Sequence, residues 1–251
     1  MITYPLHSRF ILIASAISLL LLCVVSPSGF SQLSTIVMQD DFHYKTDNID
    51  GHSPTKGSES WRKWYAGVVS ADGNMAAIVT EAGKAEAEEG HAKASYPFDL
   101  TENTLYTLKV TFKFKPVKPG EGGWVGFGFG TDQSGGANNE GGDTKNTCWM
   151  MLSPMVEASE GAISHGYVEA EEVGNTVIPA DDYNFPITAK VTWNTRTGEV
   201  KYYINNQVQL DWTPKKLTAS ESGNRIFLEG LNTCNSTKVT NVTLSAEPAK
   251  K

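Results

Sequence analysis

Residues 106–116 read YTLKVTFKFKP, and the alternation along this stretch decides the fold class. Apolar residues occupy every second position, with threonine and lysine between them. Successive side chains of a β-strand point to opposite faces of a sheet, so the pattern predicts a strand with one buried and one solvated face. The predicted buried residues are Tyr106, Leu108, Val110, Phe112 and Phe114, and the predicted solvated residues are Thr107, Lys109, Thr111, Lys113 and Lys115.

The same period recurs along the chain, and helical periodicity is nearly absent. WVGFGFG at 124–130 alternates between an apolar face and a face that holds Trp124 and glycines. Residues 188–210 predict a hairpin with a turn at Thr197-Gly198 and a second turn at Asn205-Asn206. The sequence therefore predicts an all-β, antiparallel two-sheet β-sandwich of jelly-roll type. Its predicted core contains Leu108, Val110, Phe112, Phe127, Phe129, Tyr202, Ile204 and Leu228.

The first 31 residues have the pattern of an export signal. The apolar run Phe10 to Val25 follows Arg9 and precedes Gly29 and Ser31, which are spaced as at a cleavage site. The alternative is an uncleaved membrane anchor, but a helix of this length spans about 24 Å, less than the hydrocarbon core of about 30 Å. We expect a signal peptide at 1–31, one jelly-roll domain at 32–251, and a mature protein that is secreted, periplasmic or on the cell surface.

The charge balance argues against some partners. The chain has 28 acidic and 21 basic residues, a net charge of −7, which becomes −8 when Arg9 is removed. No basic excess is present to neutralise phosphates, so we expect neither nucleic acid nor an anionic membrane as the partner. No other apolar run is long enough to span a membrane.

Two cysteines remain in the mature chain, Cys148 and Cys234. An exported chain with two cysteines favours one disulfide, and two buried thiols are the alternative. Neither cysteine belongs to a Cys-x-x-Cys pair or has a histidine at ligand spacing, which argues against a zinc site.

Several segments resemble the concanavalin A-like lectin/glucanase domains, laminin G-like jelly rolls, of bacterial exported proteins. The opening of the domain, QDDFHYKTDNIDGHSPTKGSESWRKWYAG at 39–67, carries Asp40-Asp41-Phe42 ahead of Trp61 and Trp64. The later segments are YTLKVTFKF with WVGFGFG, KVTWNTRTGEVKYYINNQVQ, and RIFLEGLNTCNSTKVTNVTLS. The likeness covers most of residues 38–246. It implies a two-sheet jelly roll with a convex and a concave face, and glycans bound or cleaved on the concave side.

The sequence lacks the Glu-x-Asp-x-x-Glu run of the glucanase branch. Glu169 and Glu171, in GYVEAEEV, are weak catalytic candidates because residues two apart on a strand share a face. A retaining glycosidase needs two carboxyl groups about 5 Å apart, and a solvated strand face is the alternative interpretation. We therefore lean against an enzyme.

Three aromatic residues are the candidate ligand contacts. Trp124, Trp149 and Tyr203 fall on faces opposite the predicted core, where rings can stack on the apolar patches of sugars. Packing in the core or at the rim of the sandwich is the alternative. Trp61 and Trp64 are predicted to anchor the core. We expect Trp124→Ala and Trp149→Ala to weaken glycan binding while the Tm stays close to that of the wild type.

A structural Ca²⁺ would need several loop oxygens, and no other cofactor is expected. Asp40 and Asp41, with Asp132, Glu140 and Asp143 in an acidic loop, are the candidate ligands. The sequence thus favours an exported jelly roll that binds extracellular carbohydrate. The alternatives are a glycoside hydrolase or polysaccharide lyase with an atypical site, and a structural or adhesive surface domain.

Overall fold

The computed structural model describes residues 33–43, 49–68, 91–114, 124–130, 148–154, 161–168, 171–179, 186–209, 217, 224–231 and 237–250. They belong to one compact unit, Leu33–Lys251, and contain strands and loops without a helix. Accordingly, this part of the chain has no helix that could span a membrane. The strands are β1 (Thr35–Asp40), β2 (Tyr65–Val68), β3 (His91–Pro97), β4 (Thr104–Phe114), β5 (Trp124–Gly130), β6 (Cys148–Pro154), β7 (Ala162–Val168), β8 (Glu171–Ile178), β9 (Ile187–Asn194), β10 (Val200–Ile204), β11 (Gln207–Val208), β12 (Arg225–Leu231) and β13 (Thr237–Pro248).

The strands form two antiparallel sheets. The six-stranded sheet has the order β1-β13-β4-β9-β10-β11, and the seven-stranded sheet has the order β2-β3-β12-β5-β6-β7-β8. Neighbours in each sheet are often distant in sequence, as where β13 lies between β1 and β4. This confirms the predicted all-β, two-sheet jelly-roll sandwich.

The core lies between the sheets and uses alternate residues of their strands. Burying one such phenylalanine or leucine side chain contributes about 1.5–3 kcal/mol. Phe114 was predicted to be buried and Lys115 to be solvated, but the side chain of Phe114 and the whole of Lys115 lie outside the described part of the chain. All eight residues of the predicted core are buried, namely Leu108, Val110, Phe112, Phe127, Phe129, Tyr202, Ile204 and Leu228.

Both predicted turns of the 188–210 hairpin are present. Gly198 has φ +74°, and a Cβ there would lie 2.5 Å from the carbonyl oxygen of Leu217, so only glycine fits. Asn205 and Asn206 have φ +48° and +65°, the left-handed pair that a tight type I′ turn requires. The turns set the register in which Val200 pairs with Trp193.

One of the two early tryptophans anchors the core. Trp64 is fully buried, and its Nε1 donates a 2.7 Å hydrogen bond to Oδ2 of the buried Asp40. The Asp40 Oδ1 accepts a 2.9 Å bond from the backbone N–H of Phe42, which has φ +57°. Trp61 is 69% exposed, so its predicted core role was wrong. Its ring instead lies beside Arg62, whose guanidinium carbon is 4.4 Å from the ring centroid.

Candidate functional site

The outer face of the seven-stranded sheet carries a second apolar cluster. Its buried members are Trp149, Tyr167 and Phe227, and the partly buried Trp124 and Met151 pack against them. Their neighbours along each strand, such as Met150 and Leu228, belong to the core between the sheets. Because strand side chains alternate between faces, this outer aromatic cluster lies on the far side of the sheet from that core.

Gly128 lets the strands beneath the cluster approach closely. It stands between Phe227 and Trp149 in the cross-strand register. A Cβ at this position would lie 2.4 Å from Cβ of Trp149 and 2.3 Å from the carbonyl oxygen of Cys148. The bare side of this glycine therefore accommodates the neighbouring strand.

Trp149 and Tyr167 form a parallel ring stack. Their centroids are 4.0 Å apart and their planes differ by 8°. Trp149 is fully buried and Tyr167 is 7% exposed. Burial raises the pKa of the Tyr167 hydroxyl, and the nearby Glu172 carboxylate raises it further. Trp149 is thus packed within the outer aromatic cluster in this structure, and its contact with a ligand stays a prediction.

The three predicted aromatic contacts do not form one site. Trp124 and Trp149 share the outer aromatic cluster. Tyr203 lies on β10 of the other sheet, where the Nζ atom of Lys190 is 3.8 Å from its ring centroid. Tyr203 therefore belongs to a different face of the sandwich.

A partly exposed polar group borders the Trp149–Tyr167 stack. Nδ1 of His165 is 3.2 Å from Oε1 of Glu172, and the two side chains are 19% and 39% exposed. Nδ2 of Asn175 donates a 2.8 Å hydrogen bond to the same Oε1. The Asn175 bond lowers the pKa of Glu172, desolvation opposes this change, and His165 lowers the pKa further. The group presents an ionised carboxylate held by two nitrogen-bearing side chains.

A β-bulge brings Glu172 to this face. The partner of Gly166 is Gly174, but the partner of Tyr167 is Glu172, which leaves Val173 as an extra residue on β8. In a regular strand, residues three apart point to opposite faces. The extra residue Val173 therefore places Glu172 on the same face of the sheet as Asn175, directly across from Tyr167 on the neighbouring strand.

The outer aromatic cluster continues toward the other edge of the sheet. Tyr65 is 55% exposed, and the guanidinium carbon of Arg225 lies 4.8 Å from its ring centroid. Nη1 of Arg225 also donates a 3.0 Å bond to Oγ of Ser95. The register joins these residues to the polar group in one row, which runs through Tyr65, Ser95, Phe227, Gly128, Trp149, Tyr167 and Glu172. Six strand spacings make this row about 29 Å long.

The acidic residues of this face are far apart where the structure describes them. Glu169 lies outside the described residues, and the exposed Glu171 pairs with Val168 at the start of β8. Glu229 on β12 is 1% exposed and follows Phe227 by two residues, which places it on the outer face. Four strand spacings, about 19 Å along the sheet, separate β12 from Glu172 on β8. The weak catalytic candidacy of Glu169 and Glu171 stays a prediction.

Cys148 lies in the core between the sheets, with a free and fully buried thiol. Burial raises its thiol pKa strongly. Cys234 lies outside the described residues. The structure thus does not show the Cys148–Cys234 disulfide, which remains a prediction.

The acids predicted to bind Ca²⁺ have other partners where they are described. Asp40 accepts hydrogen bonds from Trp64 and Phe42. Asp41 accepts a 2.7 Å bond from Oγ1 of Thr55 and lies 3.2 Å from His43. Across the described ranges, no three His, Cys, Asp or Glu side chains are grouped to hold a metal ion. Asp132, Glu140 and Asp143 lie outside those ranges, so the Ca²⁺ site stays a prediction.

The sheet order and the two-layer core define a concanavalin A-like jelly roll. The CBM2 module of the evolved Dit of Lactobacillus casei BL23 phage J-1 is similar, with a TM-score of 0.51 and 9% identity over 88% of this chain and 99% of that chain. The metal-free Emp46p carbohydrate recognition domain has a TM-score of 0.49 and 15% identity over 72% and 87% of the two chains. The Bauhinia forficata lectin in complex with GalNAc has a TM-score of 0.46 and 13% identity over 88% and 100%.

No protein-family model matches the chain, and no curated protein matches it. The similarity to the phage module, at a TM-score of 0.51 and 9% identity, supports the fold alone. The ligand must therefore be argued from the residues themselves.

Proposed function

We propose that this domain binds carbohydrate on the outer face of its seven-stranded sheet. The observation that carries the proposal is a partly exposed hydrogen-bonding group, formed by His165, Glu172 and Asn175, at the border of the buried Trp149–Tyr167 stack. Sugar-binding sites combine apolar ring surfaces with a few placed polar groups that fix orientation. Resemblance to concanavalin A-like domains, which bind glycans on the concave side, supports the same class of ligand.

The polar group has the chemistry to bind sugar hydroxyls. The ionised carboxylate of Glu172 accepts hydrogen bonds from hydroxyls, and the Asn175 amide both donates and accepts. Hydrogen bonds to an ionised group are about twice as strong as neutral ones. Because Asn175 already holds Glu172 by a hydrogen bond and His165 lies 3.2 Å from the same oxygen, less side-chain freedom is left to lose on binding.

The two outer faces differ, which supports the choice of sheet. The described outer face of the six-stranded sheet consists largely of threonine and lysine, with Tyr203 on β10. The seven-stranded sheet instead carries the outer aromatic cluster and the exposed Tyr65. The separation of about 19 Å between β12 and β8 does not favour hydrolysis by Glu229 and Glu172, since glycosidases need carboxyl groups about 5–9.5 Å apart.

Export and the disulfide form part of the proposal. The apolar run Phe10 to Val25 and the small residues Gly29 and Ser31 support cleavage near residue 31. Mass spectrometry of the protein expressed with its leader in a bacterial host tests the cleavage. Titration of thiols in the unfolded, unreduced product tests the Cys148–Cys234 pair. An uncleaved chain would contradict export, and two free thiols would contradict the disulfide.

The binding experiment is affinity electrophoresis against soluble glucans, mannans and galactans, repeated with Ca²⁺ and with chelator. For the polysaccharide that binds, Glu172→Gln and Asn175→Ala should each weaken binding about tenfold, or about 1.4 kcal/mol. Glu102→Gln removes the same charge from an exposed loop residue and should have no effect. The proposal fails if no polysaccharide binds, or if folded Glu172→Gln and Asn175→Ala bind as tightly as the wild type.

A further inference from the structure

The outer face of the six-stranded sheet carries a row of side chains that the proposed function does not use. The register places Lys109 on β4 directly opposite Thr243 on β13 and opposite Lys190 on β9. Lys190 is in turn opposite Tyr203 on β10. We call Thr243, Lys109, Lys190 and Tyr203 the lysine row. It crosses four adjacent strands, a distance of about 14 Å.

Two like charges are held next to each other in this row. Side chains directly opposite on antiparallel strands have Cβ atoms about 4.5–5.5 Å apart, and like charges in such pairs are destabilising. The ammonium group of Lys190 lies 3.8 Å from the ring centroid of Tyr203, which fixes it in the row. Burial lowers the pKa of Lys190, and the charge of Lys109 lowers it further.

The described surroundings of the row are polar, and neither of its two flanking rows contains Asp or Glu. Among described residues, the two flanking rows consist of hydroxyl, amide and lysine side chains: Ser245, Thr107, Thr192 and Lys201 on one side, and Asn241, Thr111 and Thr188 on the other. The nearby Glu199 pairs with Lys201 at 3.0 Å. In a chain of net charge −7, this face is a local concentration of positive charge.

We propose that the lysine row binds an anionic polysaccharide, a sugar chain that carries carboxylate or sulfate groups, laid across the strands of the six-stranded sheet. One anionic group between Lys109 and Lys190 would remove their mutual repulsion and gain two charge-assisted hydrogen bonds. The Thr243 hydroxyl donates a 3.0 Å bond to Oδ1 of Asn241, and its oxygen would accept a hydrogen bond from a sugar hydroxyl. Tyr203 closes the row with its ring and its phenol.

The positive charge is confined to a narrow row, which favours the binding of a single polymer chain over the binding of a broad anionic surface. A bilayer or a DNA duplex would also face the rest of this acidic protein and be repelled there. A single sugar chain needs only the row and its hydroxyl-bearing borders. The site is separate from the carbohydrate face proposed above, because it lies on the other sheet.

The probes are polygalacturonate, which carries carboxylates, and dextran sulfate, which carries sulfates, with uncharged dextran as the matched control. Titration calorimetry should show binding of at least one anionic polymer and none of dextran. Raising NaCl from about 20 mM to about 500 mM should weaken the binding about tenfold or more, because exposed charges are screened.

The variants test the row itself. Lys109→Gln and Lys190→Gln should each weaken anionic polymer binding about fivefold or more, and the double variant should abolish it. Lys201→Gln, whose charge is paired with Glu199, should change the affinity less than about twofold. Removing one of two like charges should leave the Tm unchanged or higher, which separates a binding defect from unfolding.

Four outcomes would overturn this proposal. The first two are that neither anionic polymer binds, and that dextran binds equally well. The third is that Lys201→Gln weakens binding as much as Lys109→Gln, and the fourth is that the row binds phosphatidylglycerol vesicles or a DNA duplex in preference to both polysaccharides. Glu172→Gln should leave anionic polymer binding intact. The failure of one site is therefore distinguishable from the failure of the other.

Discussion

The hydroxyl group of Tyr202 on β10 donates a 2.6 Å hydrogen bond to the backbone carbonyl oxygen of Tyr167 on β7, and this bond joins the two sheets through the core. Tyr202 is 1% exposed, and burial raises its pKa well above the usual value. The ring of Tyr167 stacks on Trp149 on the outer face. The bond therefore links the six-stranded sheet to the strand that carries the outer aromatic cluster.

Tyr202→Phe should lower the free energy of unfolding by about 1–2 kcal/mol, because the buried Tyr167 carbonyl loses a donor while the ring stays in place. Urea denaturation measures the change. Tyr203→Phe is the matched control, since its hydroxyl is on the outer face. Equal stability of Tyr202→Phe and the wild type would show that the bond contributes nothing.

Trp149→Ala should lower the free energy of unfolding by about 3–5 kcal/mol, because it removes a fully buried ring and leaves a cavity next to Tyr167 and Phe227. This replaces the expectation from sequence that the Tm stays close to that of the wild type. Thermal unfolding by circular dichroism measures the change. The partly buried Trp124 should be less sensitive to the same substitution, and an unshifted Tm for Trp149→Ala would argue that the ring is not packed.

Gly128→Ala should destabilise the domain by about 1–3 kcal/mol, because the new methyl group would overlap the backbone of Cys148 and the Cβ of Trp149. Chemical denaturation measures the loss. Thr107→Ala, on a solvated strand face, is the control and should stay within about 0.5 kcal/mol of the wild type. A Gly128→Ala variant as stable as the wild type would mean that β5 and β6 can separate freely.

The Glu172 carboxyl group should titrate below its usual value of 4.5 in the folded protein. Because the folded pKa is depressed, the contribution of the carboxylate to stability is present above pH 4.5 and is lost as the pH falls through the folded pKa. Asn175→Ala removes the largest cause of the shift, so the pKa should rise. Carbon-13 NMR of the carboxyl group gives both values. A pKa at or above 4.5 in the wild type would contradict the described contacts.

Asp40→Asn should cost about 1–3 kcal/mol, since an amide nitrogen cannot accept a bond and leaves one of two buried donors, on Trp64 or Phe42, without a partner. Urea unfolding followed by tryptophan fluorescence measures the loss of stability. Glu102→Gln, at an exposed loop position, should have no such effect. Unchanged stability of Asp40→Asn would show that the donors find other acceptors.

The core of the sandwich could be predicted because its signal is local. The alternation in YTLKVTFKFKP places Leu108, Val110 and Phe112 on one face whatever the neighbouring strands are, and all three are buried. The two turns of the 188–210 hairpin have equally local causes in Gly198 and the Asn205-Asn206 pair.

The candidate site depends on the register in which the strands pair. The alternation of residues within one strand does not reveal that register. The sequence offered Glu169 and Glu171 as catalytic candidates, whereas the structure places Glu172 beside His165 and Asn175. Only the bulge at Val173 produces that arrangement. Tyr203 was correctly expected to face away from the core, but its assignment to the same ligand as Trp149 required knowledge of which sheet holds β10.

The bulge at Val173 occurs on β8, at the end of the seven-stranded sheet, where only one neighbouring strand must adjust to an added residue. Val173 itself packs against the core between the sheets. Deleting Val173 would give a regular register with Glu172 still across from Tyr167, so the extra residue contributes to the edge of the core rather than to the choice of side chain beside His165. An edge strand can absorb such a change in length against one neighbour, whereas a central strand would have to match two neighbours at once.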